Sequence, residues 1–136
     1  MFEKVNCIKL SGREYPYKCD LLVLEKIQDT YGDLSDFENR LTGFEPSIND
    51  DGSIKRNEDG HMIGIYKTPD LKVLGKTLHW MIQEGIEIDA DEKKKEAELI
   101  DEKMILRAVD IPPGELGKIL QKEFARCFER KNEKTT

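Results

Sequence analysis

Apolar residues recur at every second position near the start of the chain and at every third or fourth thereafter. The pattern predicts a β-hairpin over residues 3–19 followed by helices. With Ser11 to Glu14 as the turn, Leu10 faces Tyr15, Ile8 faces Tyr17 and Cys7 lies opposite Lys18. Ile8, Leu10, Tyr15 and Tyr17 then share one face, and Lys9, Pro16 and Lys18 take the other, as a half-buried pair of strands requires. Gly12 suits a tight turn, and Pro16, which lacks an amide donor, marks an edge strand. A hairpin alone is marginal in water, so it must pack on another element.

Residues 20–31 read as a helix with Asp20 as N-cap, Leu21, Leu24, Ile27 and Tyr31 as its apolar stripe, and Gly32 as its end. A second helix is expected at about 36–42, opened by the Ser35/Glu38 capping box and closed by Gly43, with Phe37 and Leu41 inward. Thr68, Pro69 and Asp70 open a third, with Thr68 capping and Gly85 stopping it; its stripe is Leu71, Leu74, Leu78, Met81 and Ile82. A charged helix is expected from about Asp91 to Ala108, with Ile100, Met104 and Ala108 as its narrow apolar face, broken by Pro112-Pro113. The last helix, about 113–130, carries Leu116, Ile119, Leu120, Phe124, Cys127 and Phe128, and the polar tail 131–136 should fray.

Between Gly43 and Thr68 the periodicity lapses. Asp51-Gly52 and Asp59-Gly60 are hairpin-type turn pairs, and with the second as a loop Ile54, Ile63 and Ile65 fall on one side. The segment reads as a small second hairpin at about 53–66 within an arm spanning 44–67, or as a disordered polar loop; pattern leaves both open. The fold class expected is α+β, mainly helical: one domain over residues 1–136, with the N-terminal hairpin on four or five helices.

Composition narrows the function classes. The 136 residues suffice for one core that buries about two-thirds of the unfolded surface. A net charge of −6 disfavours a general nucleic-acid binder. No apolar run approaches the roughly 20 residues of a membrane span, and the N-terminus lacks a signal-peptide arrangement, so a cytoplasmic protein without membrane contact is expected. Cys7 and Cys19 fall on opposite faces of the hairpin, and with Cys127 they make an odd count; free thiols are expected.

Nothing in the chain stands out as chemistry. Asp89, Asp91 and Glu92 lack the glycine and alternating oxygens of a calcium loop and read as a solvated helix N-terminus. Lys93 to Lys95 are flanked by acids, and His61 and His79 are too few for a zinc site. Gly114 to Gly117 lack the strand and lysine of a phosphate loop, and Cys127 lies on an apolar face. Glu25, Asp29 and Glu38 read as surface charges. No catalytic, cofactor or metal site is expected. Trp80 lies off the main stripe of its helix, and Phe124 and Phe128 widen the apolar face of the last one, so these three are the candidate partner contacts, with the core as the competing role.

Three passages carry a resemblance. IKLSGREYPYKCDLLVLEKIQDTYGDLSDFENRLTG resembles the opening of the small tail assembly chaperones of long-tailed phages and prophages of Gram-positive bacteria; TPDLKVLGKTLHWMIQEGIEI is similar to their middle helix and ELGKILQKEFARCFERK to their last. The arm at 46–67 departs from the compact members. The resemblance implies a non-enzymatic protein without cofactor that binds the tape measure protein, and the tail tube protein as a second partner, and keeps the former soluble during assembly; self-association stays open. The alternatives are a structural minor tail or head–tail connector protein, and a helix-turn-helix regulator built on residues 20–42. Against the last, the second helix offers only Arg40 to phosphates.

Overall fold

The computed structural model describes residues 5–129, so the expected fraying of 131–136 lies outside the described residues. The elements run β1 (Asn6–Leu10), β2 (Arg13–Tyr17), α1 (Leu21–Tyr31), α2 (Leu34–Thr42), β3 (Phe44–Pro46), β4 (Gly64–Tyr66), α3 (Leu71–Glu92), α4 (Glu102–Ala108) and α5 (Pro113–Arg126). The architecture is α+β and mainly helical, with two separate antiparallel hairpins.

The β1–β2 register differs from the expected one. Leu10 pairs with Arg13, Ile8 with Tyr15 and Asn6 with Tyr17, so the turn is Ser11-Gly12 alone. Both turn residues have positive φ, 48° and 84°, the geometry that matches the twist of two strands joined by a two-residue loop. The slip is by two residues, and side chains alternate with period two, so the same four apolar residues still share a face. All four are buried. Cys7 is exposed opposite Pro16, and Cys19 is buried past the end of β2.

Helix α3 is the axis of the fold: it packs against β2, α1, α2, α4 and α5. It runs for 22 residues, through Gly85. A glycine there leaves room for the hairpin rather than ending the helix: a Cβ would stand 2.6 Å from the carbonyl carbon of Pro16 and 2.7 Å from the Tyr17 nitrogen. The Lys18 amide donates to the Met81 carbonyl at 2.9 Å and joins the hairpin to the helix backbone.

Aspartates cap four of the five helices. Asp20 accepts from Val23 N, Asp33 from Ser35 N and Asp36 N, Asp70 from Lys72 N and Val73 N, and Asp101 from Met104 N. Asp33 therefore displaces the expected Ser35/Glu38 box, and Asp70 displaces Thr68. Leu21 and Leu71, each first in its helix, point outward, and Val23 and Val73 are buried in their place.

The charged stretch after α3 also differs from expectation. Asp89, Asp91 and Glu92 form the last turn of α3, where acids oppose the helix dipole; the ion pair of Asp89 with Lys93 at 3.1 Å offsets part of that. Residues 93–101 are a loop held by side chains of α3: Gln83 accepts from Ile100 N at 2.8 Å and donates to Glu98 O at 2.9 Å, and a His79 ring nitrogen lies 2.7 Å from Ile100 O. Only α4 remains of the expected long helix. Ile105 of α4 and Ile100 of the preceding loop reach the core, while Met104 is exposed.

Helix α5 closes the core with Leu116, Leu120 and Phe124. Gly117 lets it approach α2, since a Cβ there would stand 2.5 Å from the Leu41 carbonyl oxygen. Glu123, 2% exposed, accepts from Cys19 N at 2.9 Å, Asn6 Nδ2 at 3.1 Å and Arg126 Nη1 at 3.2 Å. A buried carboxylate so surrounded meets the requirement for partners and anchors the helix to the open end of the hairpin.

The segment between α2 and α3 is an ordered arm, wider than the hairpin expected at 53–66. Its stem pairs Phe44 with Tyr66 and Pro46 with Gly64. Beyond the stem the chain makes two small loops, with bridges Ile48 to Ile54 and Arg56 to Met62. The three limbs meet in a closed ring of backbone hydrogen bonds: Ser47 N to Ile63 O (2.7 Å), Ile63 N to Lys55 O (3.0 Å) and Lys55 N to Ser47 O (2.9 Å). Asp51 and Asn57 cap the two loops by accepting from Ser53 N and from His61 N and Asp59 N.

Candidate functional site

A concave surface lies where the arm faces α2 and α5, a groove of about 680 Å³. The arm lends Phe44, Met62 and Tyr66, and α5 lends Ile119. Phe44 and Tyr66 are a cross-strand pair with ring centroids 5.2 Å apart, tilted at 59°. Tyr66 is 64% exposed, and the other three are partly buried. Lys118 Nζ sits 5.6 Å from the centre of the Tyr66 ring, within cation–π range, and Lys122 lies one turn further along α5. On the opposing wall Glu38 of α2 accepts from Gln121 Nε2 at 2.7 Å, and on α5 itself Glu115 lies in the first turn, one turn before Lys118, where the dipole favours it.

The three candidate contacts do not meet in this groove. Phe124 is 3% exposed and packs in the core against Phe37, centroids 5.2 Å apart and rings tilted at 60°. Phe128 packs edge-on against Phe124 at 5.3 Å and is 59% exposed. Trp80 is half-buried, 6.1 Å from the Tyr31 ring. Phe128 thus offers open apolar surface, Trp80 an edge, and Phe124 supports from beneath. A separate apolar cleft lies on α1, where Leu21 and Leu22 are 80% and 60% exposed beside Leu24 and Leu34.

Tyr66 and Met62 were not recoverable from periodicity, because the arm has none. Ile119 belongs to the broad apolar face expected of the last helix, but nothing in the sequence says which part of that face the arm leaves open.

The titratable groups divide into two sets. Burial, and the Cys127 thiol beside it, hold the Cys19 thiol in its neutral form, and Cys127, which donates to Cys19 O at 2.9 Å, is raised by burial in the same way. Neutral thiols are poor nucleophiles. Burial, then a hydrogen bond to the carboxylate of Asp20, raise the Glu84 carboxyl to about 8. Arg40, the only cation of α2, is engaged by Asp70 at 2.8 Å and lies over the Tyr31 ring, so it does not present itself to phosphate. Among the described residues no group of three or more His, Cys, Asp or Glu is placed to hold a metal ion, and no helix is long and apolar enough to cross a membrane. Comparison with family models, with curated proteins and with solved structures finds no match for this chain.

Proposed function

We propose that this chain is a non-enzymatic tail assembly chaperone of a phage or prophage, working in the bacterial cytoplasm. It binds the tape measure protein, and in a later step the tail tube protein, and keeps the tape measure protein in solution while the tail is built. The reading starts from the three passages that resemble such chaperones. The observation that carries it is the open apolar surface: Tyr66 and Phe128, more than half exposed, on a small chain of net charge −6. Exposed apolar patches mark contact with another protein, and a long helical protein with apolar seams needs such a cover until its own partners arrive.

The test is co-expression with the long, helix-rich protein encoded beside it. The expected result is that the long protein becomes soluble only in the presence of this chain, that the two co-purify, and that Phe128→Asp weakens the effect while the variant keeps its helical circular dichroism. A long protein that stays insoluble with nothing co-purifying overturns the proposal, as does recovery of this chain as a fixed component of finished particles.

A further inference from the structure

We propose that Cys19 and Cys127 are a redox pair that exchanges with small-molecule disulfides and closes into a disulfide joining the end of α5 to the chain just past β2. The proposal is independent of the chaperone reading. Helix α5 holds the Cys19 backbone on both sides: Glu123 accepts from its N–H at 2.9 Å, and the Cys127 thiol donates to its carbonyl oxygen at 2.9 Å. Glu123 and Cys127 lie one turn apart, so one face of the helix sets both contacts. The same placement brings the two thiols within hydrogen-bond reach of each other, with Cys19 buried and Cys127 partly buried at the helix C-cap. Cys7 is outside this pair, exposed on β1 opposite Pro16.

The structure holds both sulfurs as free thiols. The contact between them is unequal: it favours the thiolate at Cys127 and disfavours it at Cys19. Cys127 is therefore the attacking sulfur and Cys19 the resolving one. In the first step Cys127 gives up its proton and its Sγ bonds to one sulfur of the small disulfide. The S–S bond of that disulfide breaks, and the departing thiolate takes the proton. In the second step Cys19 gives up its proton, its Sγ bonds to Cys127 Sγ, the mixed disulfide breaks, and the other small thiol leaves with that proton. The protein pair is oxidised by two electrons, and the small disulfide is reduced to its thiols. Burial raises both protein thiols, so exchange waits on opening of the last turn of α5; helix ends fray, and Cys127 sits at one. In a reducing compartment such a bond is transient and follows the level of oxidant. Closed, it joins positions 108 residues apart and fixes covalently the helix that closes the core.

The test uses the full chain carrying Cys7→Ser, which removes the exposed thiol outside the pair. The folded protein is incubated with glutathione disulfide, the reaction is quenched in acid, and the remaining thiols are blocked with iodoacetamide in denaturant. Mass spectrometry of the chain and of its peptides then reads the products. The expected product is a Cys19–Cys127 cross-link within one chain, reversed by dithiothreitol, with a Tm higher than that of the reduced chain by roughly 10 °C. With Cys19→Ser added, Cys127 should instead accumulate bound glutathione, at least about tenfold more than when Cys19 is present to resolve it. With Cys127→Ser added, Cys19 should stay free of glutathione, because the attacking sulfur is gone and the remaining one is buried. Circular dichroism and Tm confirm that each reduced variant folds. Full alkylation of both thiols after exposure to the disulfide overturns the proposal, as does glutathione retained on Cys127 with Cys19 present. So does a cross-link that forms only between chains.

Discussion

The carboxylate of Glu123 accepts from the amide of Cys19 at 2.9 Å, joining positions 104 residues apart. With Asn6 and Arg126 on its other oxygen, it binds the last helix to the open end of the first hairpin, where the chain enters β1 and leaves β2. Glu123→Ala leaves the Cys19 amide buried without an acceptor. The expected loss is about 3 kcal/mol, seen as a Tm lower by roughly 10 °C. Glu123→Gln keeps one acceptor oxygen and should lose less than half as much. Equal Tm values for the alanine variant and the wild type would mean that this contact does not hold the helix.

Gly85 and Gly114 both lie in helices, and alanine at an open helical site usually adds up to about 1 kcal/mol of stability. The two should respond with opposite signs. A Cβ at Gly114 meets nothing within 4 Å, so Gly114→Ala should raise Tm slightly. A Cβ at Gly85 meets backbone of Pro16 at 2.6 Å, and backbone cannot swing aside as a side chain would. Gly85→Ala should therefore destabilise by about 2 kcal/mol or more and loosen the hairpin, read by amide exchange at Lys18.

Thr77 is fully buried on α3, and its hydroxyl has no hydrogen-bond partner among the described residues. Removing an unsatisfied buried hydroxyl while keeping the shape relieves desolvation, so Thr77→Val should raise stability by about 1 kcal/mol, a gain of roughly 3 °C in Tm. Thr77→Ser keeps the hydroxyl and gives up a methyl, and should lower it. A stabilised serine variant would show that the hydroxyl has a partner in solution.

The fold was legible where punctuation and period agree. Gly32 and Gly43 follow the helices they end, and the alternation of β1 and β2 survives a two-residue change of register because the side-chain period is two. It was less legible where several residues compete for one role. Ser35 and Thr68 are acceptable caps, yet Asp33 and Asp70 lie close by and a carboxylate is the stronger acceptor for helix amides. Gly85 carries the same local signal as a helix stop; only the passage of Pro16 over it, 69 positions away along the chain by their numbers (85 − 16), explains its presence inside a helix. The groove was the least legible part. Its apolar floor joins Phe44 and Met62 to Ile119, and no local pattern records that the ring of bonds among Ser47, Lys55 and Ile63 holds the arm out opposite α5.

The Glu84 carboxyl supplies a pH dependence whose sign follows from its surroundings. It faces Asp20, the cap of α1, with Glu87 on its own helix and Lys26 on α1 nearby; burial and the hydrogen bond to Asp20 raise it from 4.5 to about 8, against a smaller opposing pull from Lys26. The folded chain thus holds this proton more tightly than the unfolded chain does. Stability from the protonated pair is fully present below pH about 4.5 and is lost as pH rises through about 8. Glu84 is half-buried, so solvent screening reduces the effect to roughly 1–2 kcal/mol. Between pH 5.5 and pH 8.5, roughly the span over which such a group titrates, the wild type should lose several degrees of Tm, and Glu84→Gln, which keeps a donor to Asp20 at every pH, should lose clearly less. Deprotonation sets two carboxylates against each other at the start of α1, so amide exchange at Val23, whose N–H is held by Asp20 at 3.2 Å, should quicken beyond the intrinsic rise with pH in the wild type alone. Parallel pH profiles for the two proteins would show that the Asp20–Glu84 pair does not share a proton in the folded chain.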